Sequence, residues 1–118
     1  SKTGIRRIMD KYLVNITKYA EGQLKEISHY IANELNDHDC AMRILDLLEN
    51  EIYSLSQLPQ RIVLVDEEPW HSEGIHKMII KNFIVYFWID EARMTVQITG
   101  VVYAKRDQVK QLAKMNMK

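Results

Sequence analysis

Between residues 17 and 55 the apolar side chains recur every third or fourth position, whereas beyond Pro59 they alternate or run together. The first rhythm is that of helices buried along one stripe and the second that of strands. Thr17 reads as the N-cap of a helix reaching about residue 35, with Ala20, Leu24, Ile27, Ile31 and Leu35 on its buried side. Glu21 and Lys25 make a favourable i,i+4 pair on its outer side. The segment NDHD (36–39) reads as a tight turn whose last aspartate, Asp39, caps a second helix. That helix buries Ala41, Ile44, Leu45, Leu48, Ile52 and Leu55 and ends before Pro59. So short a turn makes the pair an antiparallel helical hairpin.

Strands are predicted at 11–16, 61–65, 75–80, 83–89 and 94–103, and a closing helix at 107–115. The element order is β-α-α-β-β-β-β-α. It implies an α+β fold, an antiparallel β-sheet with an N-terminal helical hairpin packed on one face. Residues 9–118 form a single domain, and residues 1–8 read as an expression remnant or upstream extension outside it.

Turn lengths give the register. If Lys81 and Asn82 form a two-residue turn, Ile80 faces Phe83, Met78 faces Val85 and His76 faces Phe87. A four-residue loop at DEAR (90–93) then sets Phe87 opposite Val96 and Val85 opposite Ile98. One face therefore carries Met78, Ile80, Phe83, Val85, Phe87, Val96 and Ile98, for the helices to cover. The other carries Lys77, Ile84, Tyr86, Trp88, Thr95, Gln97, Thr99 and Tyr103, and is expected to stay open as a partner surface. Tyr86, Trp88 and the loop residue Trp70 are its candidate anchors.

Composition narrows the classes. Sixteen basic and 16 acidic residues cancel, which excludes a broadly polybasic nucleic-acid binder. Basic residues nevertheless gather late in the chain, at Lys105, Arg106, Lys110, Lys114 and Lys118. They suit either a phosphate or acidic partner or the C-terminal end of a solvated helix. The single cysteine, Cys40, excludes an intramolecular disulfide and fits a reducing, cytoplasmic setting. The longest apolar run, 83–89, is too short to cross a bilayer, and no signal-length segment follows Arg6 and Arg7, so no membrane partner is expected.

Candidate chemistry is sparse. His71 and His76 flank Gly74 without a third strong ligand, so no metal or cofactor is expected. His76 and Tyr103 are candidate acid–base groups, with Lys77, Lys81, Lys105 and Arg106 as candidate cations. In the expected register His76 and Tyr103 stand roughly 20 Å or more apart, beyond proton-transfer reach.

Several motifs together resemble the RelE/ParE superfamily of bacterial type II toxins over about residues 11–112. The opening KYLVNITKYAEGQLKEISHYIANEL (11–35) resembles the family's first strand and Thr-x-x-Ala helix. LPQR (58–61) matches its Leu-Pro-x-Arg exit from the second helix, and GIHKMIIKNFIVYF (74–87) aligns without gaps on its Gly-x-Arg strand and the following Asn/Ser-Tyr strand. VVYAKRD (101–107) resembles the closing Val-Leu-His-Gly-x-Arg-Asp. His76 stands where the family has arginine, and Tyr103-Ala104 where it has His-Gly, while Arg106 and Asp107 are kept. On the RNA-cleaving RelE branch, the lysine position falls at Met78, the central arginine at Ile84 and the late tyrosine near Leu112. The resemblance thus implies a toxin closer to the ParE branch, which poisons DNA gyrase by binding. It also implies a cognate antitoxin, with Tyr86, Trp88, Trp70, Lys77, Lys81, Lys105 and Arg106 as partner contacts. The alternatives are a ribosome-dependent mRNA endoribonuclease with a rearranged site, or a degenerate member that binds antitoxin without toxicity.

Overall fold

A computed structural model describes residues 11–34 and 36–104. Strand β1 (Leu13–Ile16) leads into helix α1 (Lys18–Glu34), a turn, and helix α2 (His38–Tyr53). Two 3-10 turns follow, Ser54–Ser56 and Pro59–Arg61, then β2 (His76–Ile80), β3 (Phe83–Asp90) and β4 (Thr95–Tyr103). The expected helix at 107–115 lies outside the described residues.

Thr17 caps α1 as its sequence position predicts: its hydroxyl oxygen accepts from the Ala20 N–H at 3.3 Å. The same hydroxyl donates to the Ile98 carbonyl at 2.8 Å, fastening the helix start to β4. Ala20, Leu24, Ile27 and Ile31 form the buried stripe of α1. In α2 the stripe is Ala41, Leu48 and Ile52, with Leu55 buried in the following turn. The cap of α2 is Asp37 rather than Asp39. Its backbone is extended (φ −141°, ψ 93°) and its carboxylate accepts from Cys40 N–H at 2.9 Å, while Asp39 sits inside the first turn. Asp37→Ala should therefore lower stability by about 1 kcal/mol and Asp39→Ala by a few tenths, a contrast that urea unfolding resolves.

The sheet order is β1-β4-β3-β2. It is mixed, not wholly antiparallel: β1 runs parallel to β4, with Leu13 beside Thr95 and Ile16 beside Ile98. The helical crossover between them supplies the length that a parallel neighbour requires. The expected strand at 61–65 is also absent as a regular strand. Pro59 starts a turn closed by Arg61 N–H to Leu58 C=O and Ile62 N–H to Pro59 C=O. Only residues 63–65 are left to pair with β2, through a single bridge from Leu64 to His76.

The β2–β3 register is the expected one, Ile80 to Phe83 through His76 to Phe87. The β3–β4 loop falls at 91–94 rather than 90–93, so Phe87 meets Ile98 and Ile89 meets Val96. A two-residue slip leaves every face unchanged. The larger departure is a bulge: Tyr86 pairs with Gly100 and Phe87 with Ile98, which makes Thr99 the extra residue. Thr99 is buried, and its hydroxyl donates to the Tyr86 carbonyl at 3.3 Å. Past the bulge the faces of β4 exchange. Val101 joins the helix-side core and its N–H, pointing past the end of β1, donates to Gln23 Oε1 of α1 at 2.7 Å.

Tyr103 consequently lies on the helix side, not on the second face. Its ring stacks on Phe83 (centroids 5.0 Å apart) and meets Tyr30 of α1 edge-on at 5.7 Å. The second face is not open either. Val65 and Ile75 bury themselves against Ile84, Tyr86 and Val102, with Trp70, Trp88 and Ala104 packed around them. The acidic segment between them folds back as a compact loop, its turns closed by His71 N–H to Glu67 C=O, Glu73 N–H to Pro69 C=O and Ile75 N–H to Trp70 C=O. Gly74 ends the loop at φ 80°, a conformation that costs a glycine little.

Candidate functional site

β2 places His76 at the rim of the core. Its ring lies flat on Phe87, with centroids 4.9 Å apart and planes 6° from parallel. Nδ1 is 2.8 Å from the Ile62 carbonyl, and since a carbonyl only accepts, Nδ1 carries the proton. His71 makes the same bond, Nδ1 to the Val65 carbonyl at 2.8 Å. Both histidines thus latch the 62–65 segment to its neighbours, a role that neighbouring carbonyls 14 and six residues upstream do not reveal in sequence.

The structure does not bring His76 and Tyr103 together. Tyr103 faces Phe83, which faces Ile80, four residues along β2 from His76. Four residues along and two strands across is about 16 Å, shorter than the sequence register implies but well beyond a proton transfer. Lys77 pairs with Tyr86 on the second face, and its backbone N–H donates to Val63 C=O at 3.0 Å. Lys81 occupies the β2–β3 turn with φ 54°. Ala104 N–H donates to Asn82 C=O at 2.6 Å, so the chain leaves the sheet beside that same turn. Lys105 and Arg106 follow in sequence and lie outside the described residues. Among the described residues no group of three His, Cys, Asp or Glu side chains is placed to hold a metal ion.

Tyr86 is 2% exposed, so it supports the second face from beneath rather than presenting a surface anchor. Burial, reinforced by the charge of Glu67, pushes its phenol up to about 12. A phenol shifted this way stays protonated at neutral pH and neither accepts nor supplies protons there. The raised value means that the folded state holds this proton more tightly than the unfolded chain. Its contribution is complete below pH 10 and is lost as pH rises toward about 12. The loss is on the order of 2 kcal/mol, and Tyr86→Phe should abolish that part of the alkaline destabilisation in urea titrations run at successive pH values. Trp70 and Trp88, half-buried, pack over the same cluster. In the loop the Ser72 hydroxyl and N–H, 2.9 and 3.1 Å from the Glu68 carboxylate, hold that acid below its ordinary range.

One polar network had no signal in the sequence. The Tyr12 hydroxyl donates to Glu91 at 2.5 Å, while Gln60 Nε2 donates to the Tyr12 oxygen at 2.7 Å. It joins the residue just before β1, the Pro59 turn and the β3–β4 loop, and its reach of 79 residues explains why local pattern could not show it.

A family model described as the ParE toxin of the type II toxin–antitoxin system parDE matches residues 14–108. Solved structures with a similar fold include the RelBE2 toxin–antitoxin complex from Mycobacterium tuberculosis, 21% identical, covering 80% of this chain and 93% of that one at a TM-score of 0.62. The chromosomal ParDE toxin–antitoxin system from P. aeruginosa is similar at 17% identity, covering 80% of this chain and 97% of that one, with a TM-score of 0.64. A search of curated proteins found no match.

Proposed function

The chain belongs to the ParE toxin family of type II toxin–antitoxin systems, and from that premise we propose that it arrests growth by binding its target, in the manner of a gyrase poison, and that a cognate antitoxin keeps it silent. The observation that carries the binding reading is the separation of the two candidate acid–base groups. His76 bonds a backbone carbonyl through Nδ1 and lies on Phe87, and Tyr103 lies in an aromatic stack about 16 Å away. RNA cleavage by the 2′-hydroxyl needs a base, an acid and cations converging on one phosphate. A binding toxin needs only a surface. Lys81 stands in the β2–β3 turn beside which the described chain ends at Ala104, and Lys81 together with Lys105 and Arg106, which follow in sequence, are the proposed target contacts. Half-buried Trp88 and Trp70 are the assigned antitoxin contacts, with Tyr86 as the buried support beneath them.

Primer extension on cellular mRNA after brief induction tests the binding reading against RNA cleavage. The expected pattern is unaltered transcripts in growth-arrested cells. Cuts at fixed positions within codons, appearing only when the message is translated, would overturn the reading in favour of a ribonuclease.

A further inference from the structure

Helix α2 ends on an open notch of about 630 Å³ that, among the described residues, no carboxylate lines. A helix end ordinarily exposes carbonyls and repels anions. Here Ser54 bonds the carbonyls of Asn50 and Ile52 through its N–H and that of Glu51 through its hydroxyl. Arg61 closes the other side: Nη1 donates to the Gln57 and Leu58 carbonyls at 2.9 and 3.1 Å, with only a long 3.4 Å contact from Nη2 to Ser54 Oγ. Among the described residues nothing accepts from its Nε–H and no carboxylate pairs with it. The guanidinium is thus pinned by Nη1 and keeps its Nε–H, and with it the Nε–Nη2 fork that grips two oxygens at once. Lys11 faces Gln57 across an antiparallel bridge, so its stem leaves on the side where Gln57 lines the notch, and it too lacks a carboxylate there.

Leu58 is left-handed, with φ 47° and ψ 57°, a conformation that a bulky side chain adopts only at a cost. Burial does not offset it, because Leu58 is 62% exposed on the notch wall, as is Tyr53 at 53%. The turn aims the Leu58 carbonyl at Arg61, whose N–H and Nη1 both donate to it. Backbone strain of this kind persists where it holds a site in place.

The lining says what fits. Two cations without a carboxylate call for a dianion, and a guanidinium fork beside a lysine suits a phosphate. Tyr53 and Leu58 offer apolar area to a flat ring. The side-chain amides of Asn50 and Gln57, neither bonded within the described residues, can meet an edge that both donates and accepts, as that of adenine does. A bare phosphate would leave the apolar walls wet, and a lone acidic side chain would fill little of the volume. We propose that the notch binds a free adenine mononucleotide, its phosphate on Arg61 and Lys11 and its base against Tyr53 and Leu58. The notch stands apart from the proposed target contacts. Leu13, close after Lys11, sits beside Thr95, and β4 runs roughly 26 Å from there to Tyr103, near the Lys81 turn. The inference therefore goes beyond the toxin reading and does not depend on it.

The test titrates the full chain with adenosine monophosphate, following the heat of binding and the Arg61 Nε–H resonance. Saturable binding below millimolar is expected, with that resonance moved. Tyr53→Ala and Lys11→Gln should each weaken binding at least about fivefold without shifting the unfolding midpoint, since both side chains are exposed. Arg61→Lys keeps the charge and loses the fork, and should weaken binding at least about tenfold. Because Arg61 also closes the turn, urea unfolding accompanies that variant, and the other two decide if it does not fold. The proposal is overturned if the nucleotide does not saturate, if adenosine or inorganic phosphate binds as tightly, or if neither Tyr53→Ala nor Lys11→Gln changes the affinity. It is equally overturned if a single-stranded oligonucleotide, and not the mononucleotide, moves the Arg61 resonance.

Discussion

Phe87→Ala is expected to cost about 3–5 kcal/mol, the largest loss from any single truncation in the sheet. Phe87 is fully buried at the centre of β3, between His76 on β2 and Ile98 on β4. Its ring supports the imidazole of His76, whose Nδ1–H in turn holds the 62–65 segment through Ile62. Truncation therefore leaves a cavity and loosens a latch at once. A domain of this size has a total stability of about 5–15 kcal/mol, so the variant sits close to unfolding. Urea titration followed by tryptophan fluorescence should show the midpoint fall sharply, whereas the exposed Ile79→Ala moves it by about 0.5 kcal/mol or less. A loss under about 1 kcal/mol for Phe87→Ala would mean that the core is not centred there.

Arg106→Ala is expected to abolish growth arrest while leaving stability unchanged. Its assignment rests on the closing motif VVYAKRD, in which Arg106 and Asp107 are kept although the residues at 103 and 104 depart from the family pattern. Guanidinium offers a planar fork that pairs with two oxygens at once, which an ammonium cannot. Removing one partner of such a contact costs about 2–5 kcal/mol, roughly 30- to several-thousand-fold in target affinity. Arg106→Lys should retain part of the toxicity, because it keeps the charge and loses the fork. Colony counts after induction, beside thermal unfolding of the purified variants, separate this outcome from misfolding. Full toxicity of a stable Arg106→Ala protein would remove the residue from the target contact.

Much of this arrangement could be read from the chain, and the failures have particular causes. The helices were legible because Leu24, Ile27 and Ile31, then Ala41, Leu48 and Ile52, repeat at helical spacing and are buried as that spacing requires. The β2–β3 register was legible because Lys81-Asn82 leaves only one way to close a short hairpin. Thr99 defeated the same reasoning on β4. An extra residue in a strand leaves the alternation intact on paper, and only Gly100 beside it hinted at a break, yet it moved Tyr103 to the helix side. The covered second face was missed because its lid is a polar loop. Its apolar ends, Val65 and Ile75, were read as strand residues and not as the two feet of a cover. The parallel β1 followed from a crossover whose direction no local signal encodes.

Inhibition by binding is decided by a supercoiling assay with purified DNA gyrase and relaxed plasmid. The purified protein is expected to block supercoiling in a dose-dependent way, Arg106→Ala is expected not to, and toxin-treated mRNA is expected to stay intact in a translating extract. Undisturbed supercoiling together with ribosome-dependent cleavage of that mRNA would contradict inhibition by binding.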